Sequence, residues 1–149
     1  MINDKLKPTG ELVIVLRDQY GNIKEQKTVP NLIVTTGKNA IASRLAGTTT
    51  AVMTHLAVGS TSTAPDVANT TLGAQLGTRA ALTVSGGAVS GNQVTFTATF
   101  IAGNGTGAIT EAGIFNASTA GTMLARTTFS VVNKDALDTL TISWVVTIS

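Results

Sequence analysis

The stretch VTFTATFIAGNGTGAITEAGIF, residues 94–115, decides the fold of this chain. Its first seven residues alternate strictly, because Val94, Phe96, Ala98 and Phe100 share one face and threonines occupy the other. This alternation predicts a strand with one buried face. The GNGTG segment leads into AITEAGIF, which is β-like, whereas a phosphate-binding glycine loop must be followed by a helix. We therefore interpret GNGTG as a turn between two strands, with glycines that allow positive φ.

Further β-rich runs lie on both sides of this stretch. ELVIVL and IKEQKTV, joined by the turn-forming RDQYGN, predict a hairpin. HLAVG, RAALTVS, MLARTTFSVV and DTLTISWVVTIS predict more strands, separated by loops rich in Gly, Asn, Ser or Asp. In the last run, Leu140, Ile142, Trp144, Val146 and Ile148 alternate with Thr and Ser and are expected to face the core. This spacing indicates an all-β fold, an antiparallel β-sandwich or barrel.

One segment has a helical period. In TTGKNAIASRLAG, Thr36 is a candidate N-cap, Ile41 and Leu45 fall four apart, and Gly47 stands where a C-terminal glycine belongs. The apolar face is narrow, which favours packing on a sheet over packing in a helical bundle. We expect one short α-helix near residues 37–46.

The chain of 149 residues has the length of one domain. Residues 1–10, MINDKLKPTG, mix charges with Pro8 and Gly10 and lack an apolar period. We expect this segment to be a flexible N-terminal arm that orders against something else, and residues 11–149 to form a single sandwich domain. Within it, STSTAPDVANTTLGAQLG is a long loop of small residues, which is typical of functional or interfacial segments.

Composition argues against several kinds of partner. The chain has no cysteine, so disulfides and thiolate metal sites are excluded. Only 12% of residues are charged and the formal net charge is +2, which does not indicate nucleic acid as a partner. The early apolar run LVIVL is far shorter than the ~20 residues that span a bilayer, and no signal-peptide pattern accompanies it. We therefore expect no membrane partner and assembly in a cytoplasm.

Candidate catalytic motifs are incomplete. TTGKN contains the Gly-Lys pair of a phosphate-binding loop, but Leu32 stands where that loop has glycine and Asn39 where it has Ser or Thr. His55 is the sole histidine, and no serine lies in a G-x-S-x-G context. A hydrolase that pairs His55 with a distant serine is the alternative left open. We expect no enzyme activity, no cofactor and no metal.

Glu111 lies in the otherwise apolar run ITEAGIF, where an isolated carboxylate would be costly to bury. We expect it to form a structural, hydrogen-bonded ion pair, and Arg79 and Arg126 are the candidate partners because both lie in or beside strands. The alternative is a glycosidase carboxylate, which needs a second acid. The other acids in question fall in loops without a marker of that role: Asp66, Asp135 and Asp138.

Five segments follow one another in a distinctive order: NLIVTTGKNAIASRLAG, HLAVGSTSTAPDVANTTLGAQLGTR, ITEAGIFN, MLARTTFSVVNK and TLTISWVVTIS. In this order the chain resembles a family of small tailed-bacteriophage virion proteins, which includes jelly-roll cement (decoration) proteins of podovirus heads. The resemblance runs from about Asn31 to the end of the chain. It includes Gly37, Arg79, the E-A-G-I-F run and the strand of Trp144, none of which is a catalytic signature.

The resemblance implies a jelly-roll-like β-sandwich that binds the capsid surface of the virion as a dimer or trimer. Its partners would be the major capsid protein and further copies of itself, and its role would be to stabilise contacts between capsid subunits. The N-terminal arm, with Lys5, Lys7 and Pro8, is a candidate contact with the shell. Two alternatives stay open: a phage tail component (tip, collar or fibre adaptor) and a carbohydrate-binding module, although aromatic residues make up only 4% of the chain.

Overall fold

The computed structural model describes residues 5–48 and 50–149. Within these residues the chain forms β1 (Pro8–Arg17), β2 (Ile23–Pro30), β3 (Leu32–Ile33), α1 (Thr35–Leu45), β4 (His55–Gly59), β5 (Gln75–Ala81), β6 (Ala88–Ser90), β7 (Gln93–Phe100), β8 (Gly107–Phe115), β9 (Met123–Lys134) and β10 (Thr139–Ile148). Sheet A has the strand order β2-β1-β10-β7-β6, and sheet B has the order β3-β9-β8-β4-β5. All paired strands are antiparallel. The prediction of an antiparallel sandwich with one short helix is confirmed.

The two sheets share one core, and β10 is the central strand of sheet A. Trp144 pairs with Leu12 of β1 and with Phe96 of β7, so three large buried side chains lie side by side across sheet A. Two further rows of buried side chains run across sheet A in the same way. One consists of Ile14, Ile142 and Ala98, and the next consists of Leu16, Leu140 and Phe100. Sheet B closes the core with Leu56, Val58, Ile109, Ile114 and Val132.

The GNGTG segment is a turn, as predicted, and it carries the chain from sheet A to sheet B. Gly103 and Gly105 have φ of +83° and +66°, a region that side chains with a Cβ rarely adopt. Asn104 then pairs with β5, because its side chain accepts a hydrogen bond from the Thr78 amide (2.9 Å) and donates one to the Thr78 carbonyl (3.1 Å). The tip of the turn is therefore fastened to a neighbouring strand.

The helix occupies residues 35–45, so it begins two residues earlier than predicted. Thr36 is not its N-cap, since that position belongs to Val34, and the Thr36 hydroxyl instead donates to the Met123 carbonyl of β9 (2.9 Å). Gly47 ends the helix as expected, with φ of +71° and the Thr48 amide bonded to the Ser43 carbonyl.

The face of α1 that packs on sheet B is also different from the prediction. Gly37 and Ala40 are buried, whereas Leu45 is 81% exposed. A Cβ at Gly37 would collide with the Leu124 carbonyl oxygen of β9. The backbone of the helix therefore lies directly on the strand, and this close approach turns Leu45 away from the core.

The prediction of a flexible arm over residues 1–10 is wrong for residues 7–10, and residues 1–4 lie outside the described part. β1 starts at Pro8, which pairs with Ile148, and the Lys7 amide donates to the Ser149 carbonyl (2.7 Å). Pro is tolerated at the first position of a strand. The two ends of the described chain thus pair with each other, a contact between residues about 140 positions apart that no local pattern reveals.

Candidate functional site

The Glu111 carboxylate is completely buried on the outer side of sheet B, where it pairs with Arg126. Arg126 Nε and Nη2 lie 3.0 Å and 2.9 Å from Glu111 Oε2, and the arginine is itself 2% exposed. Register explains the contact: Glu111 pairs with Thr128 and Gly113 with Arg126, so the acid and the arginine are diagonal neighbours on adjacent strands. The isolated carboxylate that the sequence suggested therefore has a charged partner.

The ion pair fastens the loop of residues 60–74, which joins β4 to β5 and is hereafter the 60–74 loop. Glu111 accepts hydrogen bonds from the amides of Gly73 (3.1 Å) and Ala74 (2.8 Å), with a longer one from Thr61 (3.4 Å). Arg126 donates to the Asn69 side chain and to the Thr63 carbonyl, both at 3.1 Å. Both ends and the middle of the loop therefore converge on one buried charge pair.

Two glycines and a small apolar cluster make room for this layer. A Cβ at Gly59 would overlap the Glu111 carboxylate, and one at Gly113 would press on Leu72 of the loop. Beside the ion pair, the loop and the start of α1 cover a second set of buried side chains: Val34, Ala57, Leu72, Phe115 and Met123. The 60–74 loop is thus a packed third layer of the molecule.

Arg79, the other candidate partner, does not contact Glu111. Its guanidinium lies over the ring of Phe115, 3.6 Å from the centroid, and donates to the carbonyls of Ala117 (2.9 Å) and Ala120 (2.8 Å). This geometry combines a cation–π contact with closure of the β8–β9 turn. Burial lowers the pKa of Arg79 from its ordinary value.

His55, the candidate base of a hydrolase, begins β4 and hydrogen-bonds through Nδ1 with the Thr54 hydroxyl (2.8 Å). Its strand neighbours are Ala81 and Phe115, which offer no proton-transfer partner in their side chains.

Among residues 5–48 and 50–149, no group of three or more His, Cys, Asp or Glu could hold a metal ion. In the same part of the chain, no helix is long and apolar enough to cross a membrane.

A second charged cluster, which the sequence analysis did not find, closes one end of the sandwich. Lys24 Nζ lies 2.8 Å from Asp138 Oδ2 and 3.2 Å from Asp135 Oδ2, and Asp138 is 3% exposed. Nearby, Lys134 is 2% exposed and donates to the Ile101 carbonyl (3.1 Å). The hydrogen bond from Lys24 lowers the pKa of Asp138, while desolvation lowers the pKa of Lys134. Both acids lie in the loop between β9 and β10, as predicted, but their lysine partner is more than 100 residues away, so no local pattern reveals the cluster.

We expect this cluster to make the stability of the fold sensitive to acid. Because the pKa of Asp138 is lower in the folded protein than in the unfolded chain, the carboxylate contributes stability above about pH 4. That contribution is lost as the pH falls through the folded pKa. We expect Asp138→Asn to lower the free energy of unfolding at pH 7 and to flatten its decrease below pH 4, as measured by urea denaturation across that range.

Asp66→Asn is the matched control, since Asp66 is an exposed loop acid whose described contacts are hydrogen bonds within its own turn. If the free energy of unfolding of Asp138→Asn falls below pH 4 as steeply as that of the wild type, Asp138 is not the group that makes stability sensitive to acid.

An open apolar groove lies at the opposite end of the sandwich, between α1 and the start of β1. Leu6 and Leu45 stand on its two sides, 73% and 81% exposed, and two lysines, Lys7 and Lys38, add positive charge. The remaining apolar lining comes from Pro8, Pro30, Leu32, Ile33, Ile41, Ala42 and Ile148. No acidic side chain lines this groove within the described residues. The sequence analysis placed Lys5, Lys7 and Pro8 in a contact arm; the structure places Lys7 and Pro8 in the groove and leaves Lys5 exposed.

Comparison with known proteins adds no relative: no family model, no curated protein and no solved structure matches the chain.

Proposed function

We propose that this protein is a structural virion protein that binds the outside of a phage capsid as an oligomer and stabilises contacts between major capsid subunits. The observation that carries the proposal is the apolar groove between α1 and β1. Exposed Leu6 and Leu45, together with Lys7 and Lys38, present a surface that suits an apolar segment bearing carboxylates. The segment order that resembles podovirus cement proteins supports the same function.

The proposed mechanism is mechanical. A cement protein must keep its shape under load, and here the 60–74 loop is held to sheet B by a buried ion pair and several backbone hydrogen bonds. The groove has a similarly firm wall, because the backbone of α1 lies directly on β9. Each copy would tie neighbouring capsid subunits together, so that rupture of the shell must also break the contacts of the cement protein. Because many copies bind to one capsid lattice, a modest affinity of each copy for the capsid is sufficient to stabilise the shell.

Copy number separates the head from the tail. A cement protein approaches one copy per major capsid subunit, whereas a tip, collar or fibre adaptor is present in far fewer copies. Quantitative mass spectrometry of purified virions measures this ratio. A few copies per particle would indicate a tail component. Saturable binding on a glycan array would indicate a carbohydrate-binding module.

Removing the two exposed leucines of the groove tests its role directly. We expect Leu6→Gln/Leu45→Gln to weaken attachment to capsids that lack the protein by on the order of 100-fold or more, because each leucine buried at an interface contributes roughly 1.5–3 kcal/mol. Co-sedimentation of the purified variant with such capsids measures the change. Both side chains are largely exposed, so thermal unfolding should stay close to wild type.

The matched control is Ile101→Gln/Leu137→Gln. These two apolar residues are 65% and 58% exposed and lie at the end of the sandwich away from the groove. We expect this variant to attach like wild type. Equal attachment of the groove variant and wild type would refute the groove as the contact surface.

A further inference from the structure

The outer face of sheet A is a regular surface that the described residues leave uncovered. Whereas α1 and the 60–74 loop cover the outer side of sheet B, the outward side chains of β1, β10 and β7 are all partly or fully exposed. These side chains are Thr9, Glu11, Val13, Val15 and Arg17 of β1, Thr139, Thr141, Ser143, Val145 and Thr147 of β10, and Gln93, Thr95, Thr97 and Thr99 of β7. We call this set the threonine–valine face.

Charge is almost absent from this face. On β1, β10 and β7 the only ionisable side chains are Glu11 and Arg17. They lie on the same side of β1, six residues and therefore about 20 Å apart, and neither forms a salt bridge with another described residue. Between them lie Val13 and Val15. The centre of the face is thus without charge, and interface cores are likewise depleted of charged residues.

The opposite signs of the two charges make the face complementary to itself. We propose that two copies pack their threonine–valine faces together about a two-fold axis. The axis lies in the plane of the face, is perpendicular to β1, and crosses β1 near Ile14. This rotation stacks β1 on the partner's β1 in the opposite direction. Glu11 of each copy then meets Arg17 of the other, and the valines pack against each other between the two ion pairs. An axis parallel to the strands would not bring the opposite charges together.

The area suits a weak dimer. The three strands of the face, spaced about 4.8 Å apart and each contributing about nine residues at about 3.4 Å per residue, cover roughly 450 Å² per copy. Both copies together would bury roughly 900 Å², which is in the range of weak, transient interfaces. Two sheets that pack face to face keep their strands within about 30° of each other, which the proposed antiparallel stacking of β1 allows.

Charge reversal gives a decisive test in solution, without capsids. We expect the wild-type protein to form a dimer in sedimentation equilibrium, and Glu11→Arg and Arg17→Glu each to raise the dimer dissociation constant at least 10-fold, because like charges then face each other. The double variant Glu11→Arg/Arg17→Glu should dimerise like wild type. A mixture of the two single variants should form a heterodimer, since one face is then wholly basic and the other wholly acidic.

Lys38→Glu is the matched control, because it changes the net charge as much as Arg17→Glu does and lies on α1, away from the face. We expect it to leave the dimer intact. A monomeric wild type at millimolar concentration, or a double variant that fails to recover dimerisation, would overturn the inference. Because no capsid is used, a monomer that still coats capsids would remove self-association from the proposed function and leave standing the stabilisation of contacts between capsid subunits.

Discussion

Replacing Arg126 by methionine should lower the free energy of unfolding by about 3–5 kcal/mol, because it leaves the Glu111 carboxylate buried without its counter-charge. Methionine matches the aliphatic length of arginine, so the loss comes from charge and hydrogen bonding more than from packing. The Asn69 side chain and the Thr63 carbonyl also lose their donor. Urea denaturation followed by far-UV circular dichroism measures the change, with the slope of the transition checked for constancy.

The same variant should loosen the 60–74 loop before it affects the sheets. Hydrogen exchange should become faster at the amides of Gly73 and Ala74, which donate to Glu111, and stay slow at Ile142 in the middle of β10. Arg44→Met is the matched control, because Arg44 is an exposed arginine of α1. A loss below 1 kcal/mol in Arg126→Met, with unchanged exchange in the loop, would show that the ion pair does not hold this layer.

The requirement for a partner of Glu111 could be predicted from the sequence, but the choice of partner could not. The argument needed only a carboxylate in an apolar strand. Choosing between Arg79 and Arg126 needs the strand order of sheet B, in which β9 is adjacent to β8 while β4 separates β8 from β5. Arg79 is therefore two strands away from Glu111. Strand order is set by long-range pairing, and a local pattern does not contain it.

Strands that alternate strictly, such as β7 and β10, were predictable because alternation is a local property. The strand predicted for RAALTVS was placed four residues too late, since β5 is Gln75–Ala81, and the short strands β3 and β6 were not predicted. Other differences involve distant parts of the chain. Pro8 pairs with Ile148 near the other end of the chain, and Lys24 bonds to Asp138, which is 114 residues away. The buried state of Gly37 and the exposure of Leu45 likewise follow from how closely α1 approaches β9, which helical periodicity alone does not specify.

Truncating Trp144 should have an effect as large as the loss of Arg126. Trp144 is fully buried between Leu12 and Phe96 in the central row of sheet A, so Trp144→Ala leaves a large cavity and should lower the free energy of unfolding by about 3–5 kcal/mol. Its indole N–H has no hydrogen-bond partner among the described residues. Trp144→Phe removes that unsatisfied donor while it keeps most of the ring, so it should cost less than about 1.5 kcal/mol.

Chemical denaturation followed by circular dichroism is the suitable measurement, because Trp144 is the only tryptophan and its fluorescence disappears in both variants. Val145→Ala is the control: Val145 is the next residue of β10 but points outward, and its truncation should cost under about 1 kcal/mol. Equal losses in Trp144→Ala and Trp144→Phe would mean that the N–H does find a partner and that its bond, more than ring volume, accounts for the stability. Variants of the neighbours Trp144 and Val145 therefore distinguish two roles of β10. Trp144 is buried in the core and stabilises the fold. Val145 lies on the threonine–valine face, so Val145→Ala should weaken self-association without unfolding the protein.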